Sequence, residues 1–260
     1  MKPFKQKTSD FRKLSMLGFE MVSGGHNIFA LLEFDVTEVR KMLRQGRSQG
    51  KGGSLFSFFL KAIGRCLEEF PEFNSMANMN TTTTFSEVDI DIPIEVNSNG
   101  KIYNKQYIIR DVNGKSLFDI DREIGIAKRN SGEEKSYMSS RAGQKLLTTL
   151  PKSFALFLFR QVLKNHSLVK KFSGTVFVTS VSMFSNAPGY IIPFIGGPKA
   201  VSFAIGSVNK KPVVINDQIQ IREMVNITSI FNHDLVDGAP AARFINILRK
   251  YIERGYQSLL

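Results

Sequence analysis

"NHDLVDGAPAARF", residues 232–244, sets a histidine and two aspartates in a short polar run that passes directly into an apolar helical pattern. A strand, Met224 to Phe231, precedes it. A helix is expected from about Ala239 to Arg254: Pro240 suits the first turn, Phe244, Leu248, Tyr251 and Ile252 share a face, and Gly255 ends it. A side chain at a strand-to-helix junction is held by two regular elements while its tip faces a cleft. A neutral imidazole, with an unperturbed pKa near ~6.5, accepts a proton at neutral pH. His233 is therefore a candidate general base. Asp237 fits either a helix cap or a salt-bridge partner, and Gly238 permits a tight entry. A satisfied turn histidine beside a simple cap is the competing reading, which residue chemistry alone leaves open.

Outward from this stretch, strands and helices interleave without a strict βαβ rhythm, the pattern of a mixed-sheet α/β domain. Helices are expected over Ser9 to Val22, from Asp35 to about Arg44 with Thr37 as cap, over Ser54 to Phe70 up to Pro71, and over Ser116 to Arg129. Strands are expected over Asn27 to Phe34, Thr83 to Val96, Lys101 to Arg110, Thr175 to Ser182 and Ala200 to Val208, with a turn at 97–100 making one hairpin. Arg44 to Gly53, "RQGRSQGKGG", lacks the spacing of a phosphate-binding P-loop and reads as a surface loop. Ser136 to Lys171 is expected to be mostly helical, and within it "SFALFLF", Ser153 to Phe159, is greasy enough for core burial. A lid, an oligomer contact or an interfacial membrane helix are the alternatives for that segment.

The 260 residues suffice for a large core, and 42% hydrophobic with 22% charged residues is a globular composition. The lone Cys66 lies on an apolar helical stripe and reads as a buried small hydrophobe in a reducing setting. No signal-peptide pattern or transmembrane stretch is legible, so a cytoplasmic protein is expected. The net charge of +12 fits a solvated basic surface, or as sharper readings nucleic acid, an anionic membrane surface or a phosphate-bearing ligand. No zinc-finger or RNA-binding motif points to nucleic acid. His26, His166 and His233 are too scattered for a metal site, so no metal is expected.

"HDLVDG", 233–238, matches the His-x-x-x-Asp-Gly signature of the chloramphenicol acetyltransferase-like superfamily. From about residue 10 to 255 the chain most resembles the catalytic domain of the dihydrolipoyl acyltransferases of 2-oxo-acid dehydrogenase complexes. "FDVTEVRKMLRQ" (34–45), "FFLKAIGRCLEEFPEFNS" (58–75), "FSEVDIDIPIEV" (85–96) and "PFIGGPKAVSFAIGSVNKKPVV" (193–214) resemble that family's segments in its order. The resemblance implies a two-layer α/β fold, a mixed sheet covered by helices, with residues 1–260 as one acyltransferase catalytic domain. It implies His233 as general base toward a thiol or hydroxyl acceptor and acyl-CoA as co-substrate. A strand hydroxyl would stabilise the oxyanion: Thr179 is the aligned residue and Ser180 the second choice. Asp237 would pair with an arginine of the N-terminal helix, for which Arg12 is the candidate. It further implies a homotrimer, or a multiple of trimers, with His233 of one chain facing Thr179 of the next.

Residues 133–171 read as a helical insertion atypical of the family, and no lipoyl attachment sequence or subunit-binding domain is legible. A free-standing CoA-dependent acyltransferase is the leading expectation. A dehydrogenase-complex core served by a lipoyl-bearing protein on another chain, and a non-catalytic trimeric scaffold, are the alternatives. The residues that bind CoA are not identified, and neither nucleic acid nor membrane is expected as a partner.

Overall fold

The computed structural model describes residues 8, 10–22, 25–48, 52–98, 101–129, 149–182, 184, 186–193 and 197–254. In chain order the elements are α1 (Asp10–Val22), β1 (Asn27–Asp35), α2 (Thr37–Ser48), α3 (Leu55–Glu69), a 3-10 turn (Pro71–Phe73), β2 (Ser75–Ala77) and β3 (Thr82–Thr84). They continue with β4 (Ile90–Ser98), β5 (Lys101–Ile109), α4 (Leu117–Arg129), α5 (Lys152–Lys164), α6 (His166–Ser173), β6 (Val176–Ser180), β7 (Val201–Ile215), β8 (Gln218–Asn232) and α7 (Gly238–Arg254). Six strands form a mixed sheet in the order β1-β8-β7-β6-β4-β5, and β2 pairs with β3 apart from it. β6 runs parallel to β4 and β7, and the other neighbours are antiparallel.

One face of the sheet carries the core. Alternation sends Val176 and Val178, Val201, Phe203 and Ile205, and Val225, Ile227 and Phe231 to that side, where they are buried under helices α3, α4 and α7. α7 docks through Ala241, Phe244, Leu248 and Ile252, one stripe at helical spacing. The Phe244 ring stacks on Phe73 with centroids 4.5 Å apart and meets Phe231 edge-on at 6.0 Å. This anchoring fixes where α7 starts and so where the His233 loop lies. Cys66 is buried in the same core, its thiol against the Phe244 carbonyl at 3.7 Å, and burial pushes the thiol pKa well up, as expected of an inert side chain.

The structure departs from the sequence expectations at several places. The 83–96 strand is broken: the Asn74 side-chain amide donates to the carbonyls of Phe85 and Glu87, which holds residues 85–89 out of the ladder. α2 continues to Ser48 through part of the expected loop, while 49–51 lie outside the described residues. Its cap is the carboxylate of Asp35, which accepts from both the amide and the hydroxyl of Thr37. The strands at 200–208 and 224–231 are longer than expected, β7 and β8 forming one hairpin arm that turns at Asn216 and Asp217, both with positive φ. "SFALFLF" is helical, but Ala155 is its one buried residue. The 97–100 turn, the front of the 133–171 insertion and Gly255 fall partly or wholly outside the described residues.

Candidate active site

His233 follows the last residue of β8, and its amide donates to the His26 carbonyl at 2.6 Å. His26 in turn holds Asp234 through Nδ1 at 2.9 Å, so two bonds from one residue brace the loop from the β1 side. Sequence reasoning gave His26 no role. The signal was only its place immediately before β1, whose register brings Asn27 opposite Asn232. Asn232 caps the turn, its side chain accepting from the Asp234 amide and its carbonyl from those of Leu235 and Val236.

The backbone carbonyl of Asp237 accepts the first helical bond of α7 from Ala241 at 3.1 Å. Its carboxylate lies 3.7 Å from His233 Nδ1, too far for a hydrogen bond. Both side chains are open in the single chain, His233 50% and Asp237 85% exposed. Arg12 lies exposed on α1. His166 is a different case: its ring is buried between Thr83 Oγ1 at 2.8 Å and Asn78 Nδ2 at 3.2 Å, and burial lowers its pKa. It ties α6 to the small β2–β3 ribbon.

Thr179 sits on β6, whose start is fixed by a tight junction. Gly174 has φ 63°, and a Cβ there would fall 2.5 Å from the Asp89 carbonyl, so only glycine fits. The Thr175 amide donates to that carbonyl at 2.7 Å, and Asp89 is itself held by Arg110 at 2.8 Å. Thr179 pairs with Ala204, and Ala204 with Thr228, so the three stand in a row on the sheet face opposite the core. Ser180 points the other way, its hydroxyl 2.9 Å from that of Ser182.

The face that holds Thr179 is polar in its middle. Asp91, Ser202, Asn226 and Thr228 lie on it by alternation and are all buried. Among the described residues, Asp91 Oδ1, Asn226 Oδ1 and Thr228 Oγ1 are buried there without a hydrogen-bond partner. Buried polar atoms are ordinarily paired, so three unpaired ones on one face set this part of the sheet apart from the core. Burial raises the Asp91 carboxyl to about 7 against the pull of Lys199 and Arg110, and it lowers Lys199 to about 8. Toward the edge the face turns apolar and open at Phe29 and Leu31 of β1.

The two candidate residues do not meet within one chain. Thr228, level with Thr179, stands five residues before His233, roughly 16 Å along β8, and two strand spacings, about 10 Å, separate β8 from β6. A cleft of about 470 Å³ lined by Tyr107, Lys115, Asp119, Arg122, Glu123 and Ile126 contains none of the candidate residues. Among the described residues no group of three acidic, histidine or cysteine side chains is placed to hold a metal.

The family model of the 2-oxoacid dehydrogenases acyltransferase catalytic domain matches residues 27–146 and 160–260. The chain belongs to this family. The lipoamide acyltransferase component of the branched-chain alpha-keto acid dehydrogenase complex of Bacillus subtilis is 25% identical over 232 residues, 86% of this chain and 46% of that protein. The chain thus spans about half the length of the curated relatives it matches. Among solved structures, the dihydrolipoamide acetyltransferase of Azotobacter vinelandii superposes with a TM-score of 0.73 at 17% identity, covering 100% of this chain and 95% of that one. That structure was studied for the roles of a serine, a histidine and an asparagine four residues after the histidine in its catalytic mechanism. Chloramphenicol acetyltransferase superposes with a TM-score of 0.52 at 14% identity, covering 96% of this chain and all of that one. The fold is the chloramphenicol acetyltransferase-like mixed α/β fold that the 233–238 signature implied.

Proposed function

We propose that the chain is an acyltransferase that moves an acyl group between acyl-CoA and a thiol or hydroxyl acceptor, in a site completed between subunits of a homotrimer. The observation that carries this reading is the division of the site. His233 is braced and half-exposed at one end of the sheet, and Thr179 stands on the open face far from it. Among the described residues the two halves do not meet within one chain, whereas a neighbouring copy docked on the open face would bring one to the other.

In that arrangement Nδ1 of His233 faces Asp237 and Nε2 is left to take the acceptor's proton. The acceptor oxygen or sulfur attacks the thioester carbonyl. Thr179 Oγ1 donates to the oxyanion that forms, and collapse of the intermediate expels the CoA thiolate, which regains the proton from His233. Asp237 has the spacing of the asparagine named for the Azotobacter protein, four residues after the histidine. Paired with Arg12, it would hold the histidine loop in the assembly.

A second reading rests on the relatives, which are named as components of 2-oxo-acid dehydrogenase complexes. In it the acceptor is a lipoyl group carried by a protein partner and the trimers form part of a larger core. A cytoplasmic location accompanies either reading. The test is thiol release from acyl-CoAs of increasing chain length, with dihydrolipoamide or a hydroxyl compound as acceptor, for wild type and His233→Ala. The expected result is a loss of about 10²- to 10⁴-fold on His233→Ala with unchanged melting. Unchanged turnover would remove His233 as base, and absence of both release and acyl-CoA binding in the wild type would leave the scaffold alternative. Turnover with dihydrolipoamide alone would select the dehydrogenase-complex reading.

A further inference from the structure

Helix α5 exposes an apolar face that the described residues leave uncovered. Phe154, Phe157, Leu158 and Val162 recur at helical spacing on one side, with Phe154 and Phe157 49% and 53% exposed. The two rings lie nearly parallel with centroids 6.4 Å apart. The other side packs toward the protein through Ala155, Leu156, Phe159 and Leu163. Lys152 anchors the helix to α1 by an ion pair with Glu20 at 2.8 Å. The first eight residues of α5 fall in 147–159, the stretch between the two matched parts of the family model.

Charge decides what covers it. Residues 149–173 contain Lys152, Arg160, Lys164, Lys170 and Lys171 and no aspartate or glutamate. Arg160 and Lys164 are exposed, and helical geometry puts both along one flank of the apolar stripe, next to Phe157. A second copy would bring the same basic flank against this one in a chain of net charge +12, an unfavourable pairing. Phenylalanine and leucine on the outer stripe with lysine and arginine beside it is the pattern of a helix lying in a membrane interface, where the rings enter the acyl boundary and the basic heads reach lipid phosphates. At 13 residues the helix is about 20 Å long, enough to lie along a surface and too short to cross one. We propose that α5 docks the protein on an anionic phospholipid surface through Phe154, Phe157, Leu158 and Val162, with Arg160 and Lys164 holding the headgroups.

The experiment is sedimentation of the full chain with vesicles of phosphatidylcholine alone and of phosphatidylcholine with phosphatidylglycerol, in about 0.1 M salt. Binding at least about tenfold stronger to the anionic vesicles is expected, weakening as salt rises. Phe157→Ser with Leu158→Ser, and separately Arg160→Glu with Lys164→Glu, should each reduce it about tenfold or more while melting stays native, since all four side chains are outside the core. Equal binding to both vesicle types, or variants that bind like wild type, would overturn the proposal. So would a change of mass in lipid-free solution on Phe157→Ser with Leu158→Ser, which would give the face to a second copy. Binding to soluble poly-glutamate as tight as to the anionic vesicles would assign it to an acidic polypeptide instead.

Discussion

Asp91 is a carboxyl on the buried part of the open face, with one oxygen unpartnered. Its folded pKa, raised by burial to about 7, lies above the ordinary value of 3.8. The native state therefore binds more protons than the unfolded chain between those two values, and stability falls as pH rises through that window, at most by about 1.4 kcal/mol per pH unit. Lys199 has the opposite sign above it: its pKa is lowered from 10.5 to about 8, so its penalty is present below about 8 and is relieved as pH rises toward 10.5. The wild type should thus lose denaturant midpoint between pH 5 and 7.5, and Asp91→Asn should flatten that fall. Parallel pH curves for the two proteins would show that Asp91 is not the group responsible. Of the proposed site, His233 and Asp237 were legible because a short motif falls at a strand-to-helix junction, which fixes the backbone that carries both. Thr179 was proposed only through the family resemblance of its segment. The polar group of Ser202, Asn226 and Thr228 was not, because hydroxyl and amide residues inside an apolar strand acquire meaning only when the register puts Thr228 level with Thr179 and the other two on the same face.

At the scale of elements, the sequence marks a helix or strand well where one periodicity governs it, as in α3 and α7, and poorly where a long-range bond or an absent neighbour decides. Asn74 breaks the 83–96 strand from a distance. The Asn216–Asp217 turn was a local signal for the β7–β8 arm, yet the polar residues of 209–223 masked the strands beside it. Hydrophobicity made "SFALFLF" a core segment, whereas the fold buries Ala155 alone among its residues. The arm makes its own case. Ile219 and Ile221 near its tip are 77% and 74% exposed, and Val214 pairs with Ile219 on the same face. Solvent-facing isoleucines on a two-stranded arm are a surface of the kind that another chain covers. If the arm clasps a neighbour in a trimer, Ile219→Glu with Ile221→Glu should convert trimers to monomers by light scattering while the far-UV spectrum stays native. An unchanged mass would place the trimer contact elsewhere.

For the whole molecule, the fold was readable because family-like segments occur in order along most of the chain, and the ordered sheet brings each to its expected place. The catalytic assembly was less readable, since a sequence carries no distances and the residues that act together belong to different copies in the proposed trimer. That arrangement has a consequence that one chain alone cannot show. His233→Ala and Thr179→Val should each be inactive by itself, because every site in either trimer lacks one group. Unfolded together in equal amounts and reassembled, the two chains form mixed trimers by chance. A site is intact only when a Thr179→Val chain supplies its histidine and a His233→Ala chain its hydroxyl, which random cyclic assembly gives about one time in four. The mixture should therefore recover about a quarter of the wild-type rate. Chains simply mixed without unfolding should recover little until subunits exchange. Mixed trimers that form, as seen by mass, yet remain inactive would place His233 and its oxyanion donor in the same chain, against the roughly 16 Å along β8 that now separates His233 from the level of Thr179.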